Sequence, residues 1–154
     1  MAEMLNQFAI SNKKGVIKNG DHGERYEVQA YVADDGAALV PGTVVKLKDG
    51  ATGVPQVEVI SATTDIPFGV VPYGAIYNEI NNNQVFTVAS DYTIITMEAS
   101  AAIARGAKVM PVIAGAKVAT ATATNYAIGI AWDKAAAAGD IIRVLLKKPE
   151  LVTA

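Results

Sequence analysis

Few residues in this chain could do chemistry. His22 is the only histidine, cysteine is absent, and the stretch Asn-Gly-Asp-His-Gly around His22 is typical of a turn. A metal site needs three or four converging ligands, and the neighbouring acids Asp21 and Glu24 cannot face one ion together with His22. Because there is one histidine and no cysteine, a Ser-His-Asp or Cys-His arrangement is not expected. The sequence therefore predicts no metal site and no cofactor.

Carboxylates could still form the paired acid–base site of a glycosidase. The candidates share positions near predicted turns or on solvated faces, and they are Asp34, Asp35, Glu58, Asp65 and Glu79. Such positions favour solvated carboxylates over a catalytic pair. The serines have no G-x-S-x-G context, and the glycine motifs that hold phosphates are missing. We therefore expect a protein that binds or builds, and no enzyme.

The composition narrows the class of partner. The chain has 154 residues, enough for one domain, with 51% hydrophobic residues and a net charge of −2. A general nucleic-acid binder would show an excess of basic residues, whereas this chain has 13 basic and 15 acidic ones. No apolar run approaches the ~20 residues that cross a bilayer. Protein partners are expected, with neither nucleic acid nor membrane among them.

The hydrophobic pattern predicts an all-β fold. Short runs rich in Val, Ile, Thr and aromatic residues alternate with turn signals such as Pro-Gly and Asp-Gly. The predicted strands are 26–32, 43–47, 57–60, 68–71, 85–89, 92–97, 108–113, 117–124, 126–132 and 141–146. No long helical period is present. The pattern is that of a compact β-barrel or sandwich of about ten short strands.

An internal duplication is visible in three matches that keep the same order. Gly42 in Ala-Leu-Val-Pro-Gly matches Gly106 in Ala-Ile-Ala-Arg-Gly, and Gly69 in Pro-Phe-Gly-Val-Val matches Gly129 in Ala-Ile-Gly-Ile-Ala. Further on, the segment 83–88 matches 139–144. Ordered matches of this kind predict two copies of one β unit, with repeats 26–90 and 91–148.

The two ends differ from the β domain 26–148. Residues 1–25 are predicted to form an N-terminal arm, because they are polar, rich in Asn and Lys and lack a sustained period. This arm still holds residues that could contact a partner: Met4, Leu5, Phe8, Ile10, Lys13 and Lys14. Pro149 is predicted to close the last strand, which leaves 149–154 as a C-terminal tail.

The second half of the chain resembles a known family. The run Gly-Ile-Ala-Trp-Asp-Lys-Ala-Ala-Ala-Ala-Gly-Asp-Ile-Ile-Arg-Val-Leu-Leu, residues 129–146, and the preceding Ala-Ala-Ile-Ala-Arg-Gly-Ala-Lys-Val-Met, residues 101–110, are similar to the small capsid decoration, or cement, proteins of tailed bacteriophages. The similarity covers about 90–148 well, 26–89 as a weaker first copy, and leaves 1–25 unmatched.

The resemblance implies a non-enzymatic structural protein of the virion. Such a protein is made in the host cytoplasm, binds the outer capsid surface, and cements neighbouring major capsid protein subunits so that the head is stabilised. The resemblance also implies a homotrimer, formed in solution or on the capsid alone, and an arm that reaches capsid subunits. Two alternatives remain open, a carbohydrate- or peptide-binding module such as a head fibre or lectin-like domain, and a small β-barrel enzyme. A pocket with Tyr73 and Trp132 at its rim would favour the carbohydrate reading.

The last strand suggests where copies of the chain would meet. Ile142, Val144 and Leu146 alternate and can face the core. This leaves Ile141 and Leu145 on the opposite face around Arg143, and an exposed apolar face usually marks an interface. We therefore predict an oligomer interface at Ile141, Arg143 and Leu145.

Overall fold

The computed structural model describes residues 13–20, 22–49, 53–74, 79–113 and 116–153. These residues form ten strands and no helix. The strands are β1 Arg25–Ala30, β2 Val44–Leu47, β3 Gln56–Val59, β4 Gly69–Val70, β5 Val85–Ala89, β6 Ile94–Ala99, β7 Lys108–Pro111, β8 Lys117–Thr120, β9 Tyr126–Ala131 and β10 Ile141–Leu151. The predicted all-β class is confirmed, and each predicted strand overlaps one of these ten. Within the described ranges nothing could cross a membrane as a helix.

The strands close into two small barrels. The first barrel has the strand order β1-β3-β2-β4-β5, with β5 pairing back onto β1. The second barrel has the order β6-β8-β7-β9-β10, with β10 pairing back onto β6. In each barrel the first strand runs parallel to the third, and the other pairs are antiparallel. A closed barrel leaves few strand edges unpaired, which suits strands this short.

Alternation along the strands fills each barrel. In β10 the residues Ile142, Val144 and Leu146 are buried, as the pattern predicted, while Arg143 between them is exposed. One apolar cluster lies inside the first barrel and includes Val28 and Val57. These residues are small and β-branched, which explains how the narrow interior is filled with so few aromatics.

A second apolar cluster joins the two barrels. It contains the interior of the second barrel, including Ile95 and Met97, together with four residues of the first barrel and its connections. Those four residues are Val44, Ile60, Val70 and Ala89. Since one buried cluster crosses the junction, the barrels are held together by core packing as well as by their linker.

The residues before β1 are part of the fold from Lys13 onward. Gly15 N donates to Thr96 O (2.6 Å), Thr96 N to Val16 O (2.9 Å), and Lys18 N to Ile94 O (2.7 Å). Ile17 packs partly buried against the core that joins the barrels. Residues 13–20 therefore lie along β6, joined to it by these three backbone bonds and by the isolated bridge of Ile17 with Ile95, although the sequence assigned them to an arm. The apolar run of Val16 and Ile17 is only two residues long, which is too short to predict this contact with β6.

The last strand is longer than predicted. β10 continues through Pro149 to Leu151, three residues into the segment assigned to a C-terminal tail. Its register against β9 shifts between Leu146 and Glu150, which marks a bulge. A proline without an N–H group is tolerated at such a bulge because no ladder bond is lost there. The sequence rule that proline closes the strand fails for this reason.

Candidate functional site

Arg143 on β10 is held by an acid of its own chain. Its Nε and Nη2 donate to Asp133 Oδ2 (2.8 Å) and Oδ1 (2.7 Å), and its backbone N donates to Oδ2 (3.0 Å). The guanidinium bond holds the pKa of Asp133 below its usual range, and the carboxylate in turn raises the pKa of Arg143. Asp133 therefore holds the guanidinium through a two-point contact on the outward face of β10.

The other two predicted interface residues flank this pair. Ile141 and Leu145 are half-buried on the face opposite to the core residues, as the alternation requires. Ile141 and Arg143 share a shallow groove of about 290 Å³ with Lys18, Thr96 and Asp133. The structure therefore brings the three predicted residues together on one strand face, and Lys18 of the segment that runs along β6 lies beside two of them, Ile141 and Arg143.

Of the predicted arm residues, two are described by the structure. The Lys13 carbonyl accepts a hydrogen bond from Thr96 Oγ1 (2.6 Å), and Lys14 Nζ lies 3.3 Å from Glu98 Oε2. Lys117 Nζ approaches the other oxygen of Glu98 at 3.4 Å. Lys13 and Lys14 therefore both contact β6 of their own chain. Met4, Leu5, Phe8 and Ile10 lie outside the described residues.

The first barrel exposes an apolar surface that sequence reasoning missed. Leu47 at the end of β2 is 51% exposed, and Ile66 in the β3–β4 connection is 59% exposed. With Phe68 they line an open groove of about 490 Å³. Tyr26 on β1 extends this surface by packing against Phe68, with ring centroids 5.6 Å apart. We call these four side chains the apolar patch. Leu47 continues the polar–apolar alternation of β2, so its sequence position looks like that of a core residue. Only its exposure in the folded structure distinguishes it.

Charged groups beside the apolar patch are paired with one another. Lys46 Nζ lies 2.9 Å from Asp65 Oδ1 and 3.8 Å from Glu58 Oε1. The other oxygen of Asp65 accepts from the backbone N of Ser61 and of Ala62, both at 2.9 Å. The bond from Lys46, together with the backbone donors, lowers the pKa of Asp65 to about 2. Asp65 thus fixes the shape of the loop that carries Ile66.

The carboxylates considered for acid–base catalysis are accounted for by other contacts or by solvent. Glu58 and Asp65 share Lys46, while Asp34, Asp35 and Glu79 are exposed. His22 is exposed in the turn that precedes β1, where its backbone N donates to Asn19 O (3.1 Å). Among the described residues, no three His, Asp or Glu side chains are placed to hold a metal ion.

Two other features lie where the barrels meet. Ile60 and Ala62 of the first barrel and Met110, Ile113 and Tyr126 of the second line a largely apolar groove of about 280 Å³. Asp91, in the turn between β5 and β6, is buried, and this burial raises the pKa of its carboxyl. Tyr73 and Trp132, the proposed carbohydrate rim, follow β4 and β9, which are equivalent strands in different barrels.

Comparison with known proteins identifies the class. The model of a family described as XM1 gp53 minor capsid protein matches residues 6–146, which is most of the chain and includes both barrels. Among solved structures, the head fiber gp8.5 N base of bacteriophage phi29 superposes with a TM-score of 0.57 at 11% identity. That match covers 84% of this chain and 98% of the phi29 chain, and at this identity it shows a shared fold. No curated protein matches the chain.

These matches place the chain among the structural proteins of phage virions. Within that class it belongs to the XM1 gp53 minor capsid protein family. The resemblance found in the sequence is thereby confirmed at the level of a phage virion protein.

Proposed function

We propose that this protein binds the outer surface of a phage capsid and cements neighbouring subunits of the major capsid protein. The observation that carries the proposal is the match of a minor capsid protein family across both barrels. Cementing requires binding and stiffness and no chemical step. Glu58 and Asp65 are paired with Lys46, and His22 is exposed, which is consistent with such a role.

The join between the barrels supports a bridging role. Val44 and Val70 of the first barrel lie in one buried cluster with residues of the second barrel such as Ile95. A unit whose two parts share a core transmits a load between two contact points instead of bending at a linker. Weak contacts at both ends then act together, because the second contact forms at a high effective concentration.

We propose two contacts with the major capsid protein. The first is the apolar patch of Tyr26, Leu47, Ile66 and Phe68, since exposed apolar groups of this size favour burial against a partner. The second is the N-terminal segment, whose residues Met4, Leu5, Phe8 and Ile10 remain the proposed capsid-binding set together with Lys13 and Lys14. The Lys13 carbonyl and the Lys14 ammonium already contact β6. Only the parts of these two lysines that remain exposed to solvent could therefore contact the capsid protein.

We further propose that the protein acts as a homotrimer, assembled in solution or on the shell. Ile141 and Leu145 supply apolar area beside Arg143, and residues of this kind are frequent at the centre of interfaces. The pair with Asp133 restrains the Arg143 side chain before assembly, which would lower the side-chain entropy lost on binding.

The test uses phage heads assembled without this protein. We expect purified protein to cosediment with them and to raise the temperature at which they release DNA. The double variant Leu47→Asp with Ile66→Asp should bind at least tenfold more weakly, because two charges replace the centre of the apolar patch. Ile113→Asp in the second barrel is the matched control and should bind normally. Heads that bind no protein, or that release DNA at an unchanged temperature when saturated, would contradict cementing.

A head-fibre base is the second candidate, favoured by the fold shared with the phi29 protein. A fibre base anchors an appendage, and that role alone does not require the shell to be stabilised. The DNA-release temperature of saturated heads separates the two functions. A raised temperature supports cement, whereas binding without stabilisation supports a base. A glycan array with Trp132→Ala as the comparison tests the carbohydrate-binding alternative.

A further inference from the structure

One strand edge differs between the two barrels. In the second barrel, β10 bonds one side of β6, and residues 15–18 bond the other side through Ile94 and Thr96. The N of Ile94 is also bonded, by Asn19 Oδ1 at 3.0 Å. The outward N–H and C=O groups at the start of β6 are thus satisfied by the chain itself.

The equivalent edge in the first barrel belongs to β1. Ser90 N donates to Glu24 O (2.9 Å), and Ala30 N donates to Gln84 O (2.8 Å). The backbone groups of Glu24 and Ala30 therefore point toward β5. Backbone groups of a strand alternate in direction, so those of Arg25, Glu27 and Gln29 point away from β5. Gln29 N meets Pro55 O (2.8 Å) at the start of β3, which verifies the direction.

Arg25 and Glu27 lie beyond the start of β3. The pairing of β1 with β3 covers only Gln29 and Ala30. Within the described part of the chain, no group bonds the outward N–H or C=O of Glu27, and its side chain is exposed. An unpaired edge of this kind is a template for an added strand.

Building on the proposed function, we infer that this edge of β1 receives an extended segment of the major capsid protein, which pairs with Arg25 and Glu27 as an added strand. The second barrel shows the geometry, because residues 15–18 run antiparallel to β6 at the equivalent position. Main-chain bonds of this type give affinity, and the side chains of the added strand give specificity.

Charge indicates the chemistry of the incoming segment. In the second barrel Lys14, just before residues 15–18, pairs with Glu98 of β6, and the position of Glu98 is held in the first barrel by the uncharged Gln29. In the first barrel the charged group nearest that position is the exposed carboxylate of Glu27, two residues before Gln29 on the same side of β1, whereas the carboxylate of Glu24 accepts from the hydroxyl of Tyr26. A basic residue on the incoming segment would pair with Glu27, whereas Glu27 would repel an acidic segment.

The same comparison disfavours a second copy of this chain as the occupant. The segment of each copy that fits such an edge, residues 15–18, is already bonded to β6 of that copy. A neighbouring copy would have to break those bonds before it could offer the segment. A segment from another protein would pair with β1 without breaking those bonds.

Hydrogen exchange on heads saturated with the wild-type protein tests the inference. We expect exchange at the Glu27 amide to slow at least tenfold on binding, with no change at the exposed Asp35 in the β1–β2 loop. Unchanged exchange at Glu27 in bound protein would overturn the added strand and leave cementing intact. Absence of binding would overturn both. Slowing that grows with protein concentration without heads would identify a second copy and overturn the capsid segment.

Variants at Glu27 separate backbone from charge. Glu27→Pro removes an outward N–H that no barrel bond needs, so the barrel should keep its β spectrum while head binding falls at least tenfold. Glu27→Gln keeps the N–H and should bind less than fivefold more weakly. Normal binding by a folded Glu27→Pro protein would overturn the inference, and if that variant does not fold, the exchange measurement decides.

Discussion

The two barrels have one architecture and different surroundings. Val45 pairs with Gly69 in the first barrel, and Val109 pairs with Gly129 in the second. The turns before β2 and β7 place Gly42 and Gly106 at φ of 87° and 83°. Small bridges outside the strands correspond as well, with Leu39 opposite Ile80 and Ile103 opposite Ala135. The sequence matches at these glycines therefore fall on equivalent backbone positions.

The difference lies in what covers each barrel. In the second, residues 13–20 cover the edge of β6, and Asp133 covers the outward N–H of Arg143 on β10. In the first, none of the described residues bonds the outward backbone groups of Glu27 on β1, and Tyr26, Leu47 and Ile66 of the apolar patch are exposed. The same barrel architecture can thus have its strand edge bonded by its own chain in one copy and left available for partners in the other. We propose that the repeats 26–90 and 91–148 arose by duplication and then diverged in this way.

The largest expected effect tests whether the equivalent glycines do equivalent work. A Cβ at Gly129 would clash with the carbonyl oxygen of Leu145, and one at Gly69 would lie 2.5 Å from Ala89 O. Since backbone cannot yield easily, Gly129→Ala and Gly69→Ala should each lower the free energy of unfolding by about 3 kcal/mol or more. Gly106→Ala meets nothing within 4 Å and should cost only about 1 kcal/mol through its positive φ.

Urea unfolding monitored by circular dichroism measures these three variants. A Gly129→Ala protein as stable as Gly106→Ala would show that close strand approach at β9 is not required. Unequal effects at Gly69 and Gly129, with one near zero, would break the equivalence of the barrels.

Strand positions were predictable because alternation is a local property of sequence. The run from Tyr126 through Ala131 and the core residues Ile142, Val144 and Leu146 were found from their types and spacing alone. Barrel closure was not, because the pairing of β10 with β6 joins residues far apart in the chain. The same limit hid the Arg143–Asp133 pair, whose members are separated by an Ala-rich turn.

The proposed contact surfaces were less predictable than the fold. The segment around Lys14 reads as polar chain, and only its bonds to Thr96 show that it belongs to β6. Leu47 and Ile66 look like ordinary members of a strand and a loop, and their exposure depends on how the barrel closes. The interface proposed at Ile141, Arg143 and Leu145 remains a prediction.

The next effect tests the covered edge of the second barrel. Deleting residues 1–18 removes three backbone bonds to β6 and the partly buried Ile17, which should lower the free energy of unfolding by about 3 kcal/mol. Deleting residues 1–12 leaves those contacts in place and should change stability by less than about 0.5 kcal/mol. Equal stability of the two truncated proteins in urea would show that the contacts of residues 13–18 with β6 contribute nothing.

A smaller effect compares two aspartates that shape loops in different barrels. Asp65 and Asp140 each accept two backbone N–H bonds, and Asp65 also pairs with Lys46. Asp65→Asn should therefore cost about 2 kcal/mol at pH 7, and Asp140→Asn about 1 kcal/mol. The pKa of Asp65 is lowered from 3.8 to about 2, so its extra stabilisation is complete above about pH 4.

That extra stabilisation is lost as the pH falls toward 2, because the folded carboxylate then takes up a proton. Unfolding of wild type and Asp65→Asn across pH 7 to pH 2 should show curves that converge in this window. Parallel curves would mean that the charge of Asp65 does not stabilise the loop.

The smallest effect on folding, and the sharpest on assembly, concerns Arg143 and Asp133. Because the pair is partly exposed, removing either partner by Asp133→Ala or Arg143→Ala should cost about 1 kcal/mol of folding stability. Both variants lose the same bidentate contact. Only Arg143→Ala and Leu145→Asp would also remove groups from the proposed trimer contact.

Oligomer mass on decorated heads and in solution therefore separates the two roles of Arg143. We expect Asp133→Ala to keep most of its trimer, since the guanidinium is still present although less well fixed. Arg143→Ala and Leu145→Asp should shift the protein toward monomer by at least tenfold in dissociation constant, which corresponds to about 1.4 kcal/mol. If all three variants assemble like the wild type, Arg143 serves only to hold the β9–β10 turn through Asp133. The outer face of β10 would then be a solvated surface, and the copies would have to meet elsewhere.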